Sequence, residues 1–398
     1  MNGRLRIIGA LWFFQIANYL DRTVIGFAGP SLMKALAMPP ETFGVLLSSF
    51  AIGYGLAQIP GGILADRWSA RALLIVSPLL WALFTGLTGL LTTVATLVMV
   101  RLLLGLSEAL SNSAMVKLLG DHFEPHDRAV ASGLLSTSFA IAPAIAGPLV
   151  GNLIGAFGWR SIFLLMALPA LVAAVINYIC LPGEDARVST PGLVAHDVMP
   201  IGQLLRLPVL WLAAAIWFLF FIAFSGFIGW MPSYLSIARG IDVKGSGVLG
   251  GIPYFAGVIG LLALGWAGRG ARITLLPRVL AASFAGGAIG MWFAFAAPSL
   301  VGCVLGLSVA AFFLFGIIGT FAAIAVGLAP PGSRGVFWGV TSTVGQIGAV
   351  LAPYAIGRWV GLTGSFAGSF GLMTLALLIA AAITLLIPSR PLAPAARA

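Results

Sequence analysis

Two short runs in this sequence set polar, ionisable side chains among apolar neighbours. Asn18, Asp21 and Arg22, in Asn18-Tyr19-Leu20-Asp21-Arg22, recur at i, i+3 and i+4 and so share one helix face. Arg101, Gly105, Glu108 and Asn112 line one face of another helix in the same way. A guanidinium in an apolar setting is an anchor for a carboxylate, because its planar fork matches the two oxygens. A carboxylic acid there is a proton carrier: burial disfavours its charged form and a neighbouring guanidinium favours it. Two acids sharing two arginines can therefore trade partners and protons. In that chemistry Arg22 receives an anion, Asp21 and Glu108 load protons, and Arg101 supports the structure. A blander arrangement, two neutral ion pairs that only hold helices together, uses the same residues and stays open.

The elements that must position these groups are membrane helices. The chain has 398 residues, of which 8% are charged and 60% hydrophobic. A soluble domain carries about 25% charged residues, so a water-facing surface cannot be built from this composition. A transmembrane barrel is excluded as well, because its strands alternate apolar and polar residues. A spanning helix takes about 20 apolar residues, and cutting the chain at charges and Pro/Gly turns gives twelve spans. They cover 7–30, 43–65, 72–92, 95–117, 129–154, 161–181, 209–236, 246–267, 273–296, 299–327, 335–358 and 362–387.

Basic residues test that division, since Lys and Arg collect in cytoplasmic loops. With the N-terminus inside, 14 Lys and Arg fall on the cytoplasmic side, five outside, and two, Arg22 and Arg101, within spans. This bias places both termini in the cytoplasm and reads the net charge of +10 as topology, with no nucleic-acid partner. Of the 11 acids only Asp21 and Glu108 lie within spans. Groups placed there are expensive, by roughly 2.5 to 3.5 kcal/mol each on insertion scales, and are functional candidates by default. The longest polar connection, 182–208, separates six spans from six. The expected domains are a bundle at 1–181, a cytoplasmic linker at 182–208 and a second bundle at 209–398, the layout of a carrier with its site between two related halves.

Between spans two and three stands Gly62-Ile-Leu-Ala-Asp66-Arg67-Trp68-Ser69-Ala70-Arg71. This loop resembles the signature of the major facilitator superfamily, which implies that Asp66, Arg67 and Arg71 latch the cytoplasmic side. The second-half counterpart, Gly265-Trp266-Ala267-Gly268-Arg269-Gly270-Ala271-Arg272, lacks the acid. Asn18 to Arg22, Arg101 with Gly105 and Glu108, Gly158-Trp159-Arg160 with Phe163, and Trp230-Met231-Pro232-Ser233-Tyr234-Leu235 together resemble the anion:cation symporter branch. The resemblance implies an all-α membrane protein with 12 transmembrane helices in two six-helix bundles. It also implies that Arg22 binds a substrate carboxylate, that Glu108 and Asp21 are coupling sites, and that Tyr54 touches substrate.

Tyr19 adjoins the first charged face, and Tyr54 and Gln58 lie i, i+4 on span two. Ser342, Thr343 and Gln346 form a polar face on span eleven. All are candidate substrate contacts, although interhelical hydrogen bonding uses such residues equally. Aromatic residues crowd spans seven, eight and eleven, and suit a small or aromatic carboxylate. No histidine lies in a span and no metal-ligand cluster exists, so neither an enzyme nor a cofactor is expected. The expectation is a proton-coupled importer of a small organic anion, multi-pass in a bacterial inner membrane and monomeric. The alternative is a facilitator or exporter of metabolites or drugs without proton symport.

Overall fold

The computed structural model describes residues 2–183, 199–270, 275–330 and 333–387. Every regular element among them is helical. The order is α1 (Asn2–Ala35), α2 (Pro40–Arg67), α3 (Ala70–Leu90), α4 (Val94–His122), α5 (Pro125–Phe157), α6 (Trp159–Cys180), α7 (Ile201–Leu204), α8 (Pro208–Ser233), α9 (Val243–Gly270), α10 (Leu276–Ala296), α11 (Leu300–Leu328), α12 (Arg334–Thr363) and α13 (Ala367–Thr384). A π turn, Tyr234–Ala238, continues α8. Each of the twelve expected spans centres on one of the twelve long helices; α7 is a single turn in the part of the linker that the structure describes. Several helices outrun their apolar stretch: α1 begins at Asn2, and α5 begins at Pro125, which needs no N–H partner in a first turn. Ser69, Thr93 and Ser299 cap α3, α4 and α11 with their hydroxyls.

Eleven of these helices are long and apolar enough to cross a membrane. The remaining long one, α1, carries Asn18, Asp21 and Arg22, whose polarity dilutes its apolar run. Large apolar side chains stand exposed along the helices, such as Leu56, Ile59 and Ile63 on α2 and Ile289, Trp292 and Phe293 on α10. Water would penalise such a surface, whereas lipid matches it.

The chain forms two compact units. The first comprises Met1–Pro191, Ile228–Gly251 and Pro353–Gly364; the second comprises Gly192–Phe227, Ile252–Ala352 and Ser365–Ala398. In the first, α2 packs on α4, α3 on α4 and α6, and α1 on α5 and α6. Phe14 and Trp81 meet at 4.9 Å at the centre of its apolar core. In the second, α10 packs on α11 and α13.

Within the first unit two helix pairs touch backbone to backbone. Gly147 and Gly151 of α5 face Gly247 and Gly251 of α9, and a Cβ added at Gly147 would stand 2.5 Å from the Gly247 carbonyl oxygen. Gly44 of α2 meets Pro353 of α12 equally closely, at 2.5 Å from added Cβ to carbonyl oxygen. Small residues are what allow membrane helices to approach so far. Nearby, Arg358 lies 3.5 Å from Glu41, the Tyr354 hydroxyl donates to the same carboxylate, and Trp230 donates its indole N–H to the Pro353 carbonyl.

Candidate functional site

The two charged faces read from the sequence meet in the first unit. Arg22 on α1 donates its Nε–H to Glu108 Oε2 on α4 across 2.6 Å. The glutamate side chain is fully buried, while the arginine side chain keeps 24% of its surface exposed. One member of the pair is therefore sealed and the other is open to a visitor. Glu108 Oε1 and Asn18 Nδ2 are both buried without a well-formed hydrogen bond although the two side chains face each other. A buried acceptor left in that condition is costly.

Asp21 is buried one residue from Arg22, and Thr85 on α3 donates its hydroxyl to Asp21 Oδ2 at 2.8 Å. Glu108, Arg101 and Arg22 are all within electrostatic reach of Asp21. Arg101, 2% exposed, forms no salt bridge with the described residues and leaves its Nε–H unmatched. Its guanidinium lies 5.8 Å from the centre of the Phe163 ring. The arrangement is thus one close ion pair, Arg22 with Glu108, and one looser set in which Asp21 leans on a hydroxyl. Two separate neutral pairs are not what the side chains form.

Rings surround the open cation. The Arg22 guanidinium carbon is 4.4 Å from the centre of Tyr54, 5.2 Å from Phe50 and 5.4 Å from Tyr19, distances at which a cation is attracted to the ring faces. Tyr54 reaches this position because α2 and α4 cross at two glycines. A Cβ at Gly53 would collide with the Leu102 carbonyl oxygen, and one at Gly105 with that of Phe50. Gly105 thereby earns its place on the charged face of α4. Gln58 is half-buried one turn beyond Tyr54, and Asn112 is turned to the exposed side.

Two participants were not read from the sequence. Phe50 sits four residues before Tyr54, and that spacing was the available signal. Thr85 offered none, since a lone threonine in an apolar helix is ordinary.

Ser342, Thr343 and Gln346 belong to the second unit. Ser342 and Gln346 are half-buried, and Thr343 is exposed with its hydroxyl donated to the Gly339 carbonyl. The core of that unit is aromatic. Trp217 lies between Phe321, at 4.3 Å and 6° from parallel, and Phe220, at 4.7 Å and 14°. Tyr254 is buried edge-on to Phe315.

At the loop after α2, Arg67 is exposed and the Asp66 side chain lies outside the described residues. Arg71 donates to the Tyr178 carbonyl at 2.6 Å and lies over the Tyr178 ring, so it is tied to the end of α6. Lys117 donates to the carbonyls of Ala65 and Trp68, fixing the end of α2.

Residues 11–353 match the sequence pattern of the Major Facilitator Superfamily. Relatives include the "Hexuronate transporter" of Bacillus subtilis, 27% identical and covering 92% of this chain and 90% of its own, and the "Probable galactarate/D-glucarate transporter GudP" of the same species, 27% identical over 91% and 87%. A "Quinolone resistance transporter" of Acinetobacter baumannii is 26% identical over 96% and 93%. Among solved structures, a bacterial homologue of the human lysosomal transporter Spinster, inward-facing and unoccupied, superposes with a TM-score of 0.79 at 18% identity, covering 96% of each chain.

Proposed function

The chain belongs to the Major Facilitator Superfamily and is a membrane transporter, not an enzyme; on that premise we propose that it imports an organic anion together with protons by alternating access. The observation that carries this reading is the Arg22–Glu108 pair, a sealed carboxylate holding a partly open guanidinium at 2.6 Å. An incoming carboxylate competes for Arg22. Its charge and that of Glu108 cannot both be satisfied by one guanidinium, so protonation of Glu108 releases Arg22 to the substrate. Asp21, held by the Thr85 hydroxyl, is the second proton site, and Arg101 balances charge behind it. Tyr19, Tyr54 and Gln58 are the substrate contacts proposed in the first bundle; Ser342, Thr343 and Gln346 are those proposed in the second.

In this reading the bundles are residues 1–181 and 209–398, and Asp66, Arg67 and Arg71 gate the cytoplasmic side. Both termini are cytoplasmic, the membrane is a bacterial inner membrane, and the working unit is a monomer. The substrate class is a small or aromatic carboxylate. Sugar-acid names among the relatives support an anion; the charge bias of the loops supports the orientation.

The test is uptake of a radiolabelled carboxylate into liposomes driven by an inward proton gradient. Glu108→Gln should abolish accumulation while leaving exchange between internal and external substrate. Unchanged accumulation in that variant would refute the coupling role. The second reading, export or facilitated passage without protons, is favoured by the quinolone-resistance relative, and it requires that a proton gradient leave net flux unaltered.

A further inference from the structure

Asn18 shares the charged face of α1 with Asp21 and Arg22, yet the import scheme gives it no role. Its side chain is 3% exposed and faces Glu108 of α4. The two oxygens of that carboxyl are served unequally. Oε2 takes the Arg22 Nε–H at 2.6 Å, whereas Oε1 is sealed without a well-formed hydrogen bond, as is the Asn18 Nδ2 across from it. Around this contact stand Tyr19, Asp21 and Arg22 of α1, Arg101 of α4 and, beside Arg22, Tyr54 of α2; α3 brings the Thr85 hydroxyl, which donates to Asp21. The charged side chains of α5, Asp127 and Arg128, lie in its first turn, held by Arg4 and by the carbonyls of Gly120 and Phe123.

A carboxyl that cycles between two protonation states needs two kinds of partner. Ionised, it only accepts hydrogen bonds; protonated, it must also donate one. A guanidinium only donates, so Arg22 and Arg101 suit the charged form alone, whereas an amide carries a donor on one side and an acceptor on the other. We infer that Asn18 is a positioning residue for proton coupling: it donates Nδ2–H to Glu108 Oε1 while the acid is charged and, after a half-turn of its amide, accepts the O–H once a proton from solution has bound to Oε1. In that step the N–H···O contact breaks, an O–H···O bond to the Asn18 carbonyl oxygen replaces it, and Arg22 loses its ionic partner and is free to turn to substrate. The inference rests on the reading of Glu108 as a coupling site. Without Asn18 both forms of the acid lose a bond, and the charged form loses more, because hydrogen bonds to ions are about twice as strong as those between neutral groups.

Infrared difference spectroscopy of the purified full-length protein, titrated without substrate, reads the carbonyl stretch of protonated Glu108, identified by its loss in Glu108→Gln. In the unaltered protein that band should stand at the frequency of a hydrogen-bonded carboxyl. Asn18→Leu, apolar and close in volume, should move the midpoint of the titration about one unit towards higher pH and raise the band to the frequency of a free carboxyl. Asn18→Ser, which keeps a group that both donates and accepts, should hold midpoint and frequency nearer to those of the parent. A lower melting temperature in Asn18→Leu with midpoint and frequency unmoved would make Asn18 a packing residue and overturn the inference. A free-carboxyl frequency in the unaltered protein would overturn it too, whether or not the variants fold, and in both cases Glu108 would keep its coupling role. Absence of any titrating band from Glu108 would remove the coupling reading and this inference together.

Discussion

The core of the first unit is organised by charge, whereas that of the second is organised by rings. Asp21, Arg22, Arg101 and Glu108 are gathered by α1 and α4, with Thr85 from α3 completing the hydrogen bonding. In the second unit Phe220, Trp217 and Phe321 stack face on face, and among residues 200–227, 252–352 and 365–398 there is no acid at all. A charged cluster has several arrangements of similar energy, because each guanidinium can serve either carboxylate and each carboxylate can lose its charge. Stacked rings have one good arrangement and no dependence on protons. On the proposed reading, that contrast puts the proton chemistry in the first unit and leaves packing to the second.

Changing Arg22 to lysine is the strongest way to break that comparison. It keeps the charge and loses the fork that spans Glu108 and a visiting anion, so uptake should fall about a hundredfold, the loss of one or two charge-assisted hydrogen bonds worth about 1.5–3 kcal/mol each. Proteoliposome uptake at saturating proton gradient reads the effect, and a near-normal rate would mean that Arg22 does not grip the anion.

Trp217→Ala should act on the other term. Emptying the stack should lower folding stability by about 3–5 kcal/mol, seen as a depressed melting temperature in detergent, yet leave the pH profile of uptake in place. A moved profile would show that the aromatic unit shares the proton chemistry.

Arg101→Met tests whether all four charges are needed for folding. Replacing a buried ion by an apolar residue of similar volume is often neutral for stability, and Arg101 has no salt bridge with the described residues to lose. We expect a melting temperature close to that of the parent with uptake reduced about tenfold as Asp21 loses a nearby positive charge. Collapse of the fold would make Arg101 a structural residue only.

Thr85→Val should be the mildest. One hydrogen bond to a carboxylate is worth about 1.5–3 kcal/mol at most, and water or Arg101 can compensate in part, so uptake should change only severalfold. A loss as severe as that of Arg22→Lys would promote Thr85 to a required member of the site.

How far the sequence carried the reading differs from element to element. The twelve long helices were legible because apolar runs of membrane length are interrupted by charge and by Pro/Gly turns. The Arg22–Glu108 meeting was legible in outline, since i, i+3, i+4 spacing puts each charged stripe on one face. What periodicity could not reveal is which partner each charge takes across helices: Asp21 rests on Thr85, and Arg101 lies near Asp21 without a salt bridge to any described residue. Phe50 was invisible for another reason. Aromatic residues are common in membrane helices as packing material, and only the α2–α4 crossing at Gly53 and Gly105 turns this one towards the cation. The ends of α1 and α5 also ran past their apolar stretches, because helix hydrogen bonding continues where hydropathy has already faded.

The backbone contact of α5 with α9 has a consequence for heredity. Every amino acid reachable from a glycine codon by one base change brings at least a Cβ, and at Gly147 and Gly247 that atom has nowhere to go. These positions have no neighbouring sequence through which to drift, so a lineage that altered one would have to move a helix first. Variation in this protein should therefore be tolerated on the lipid-facing sides of the same two helices, residue for residue, while the glycines stay fixed, and a saturation mutagenesis screen for transport would show it as gaps at four residues apart.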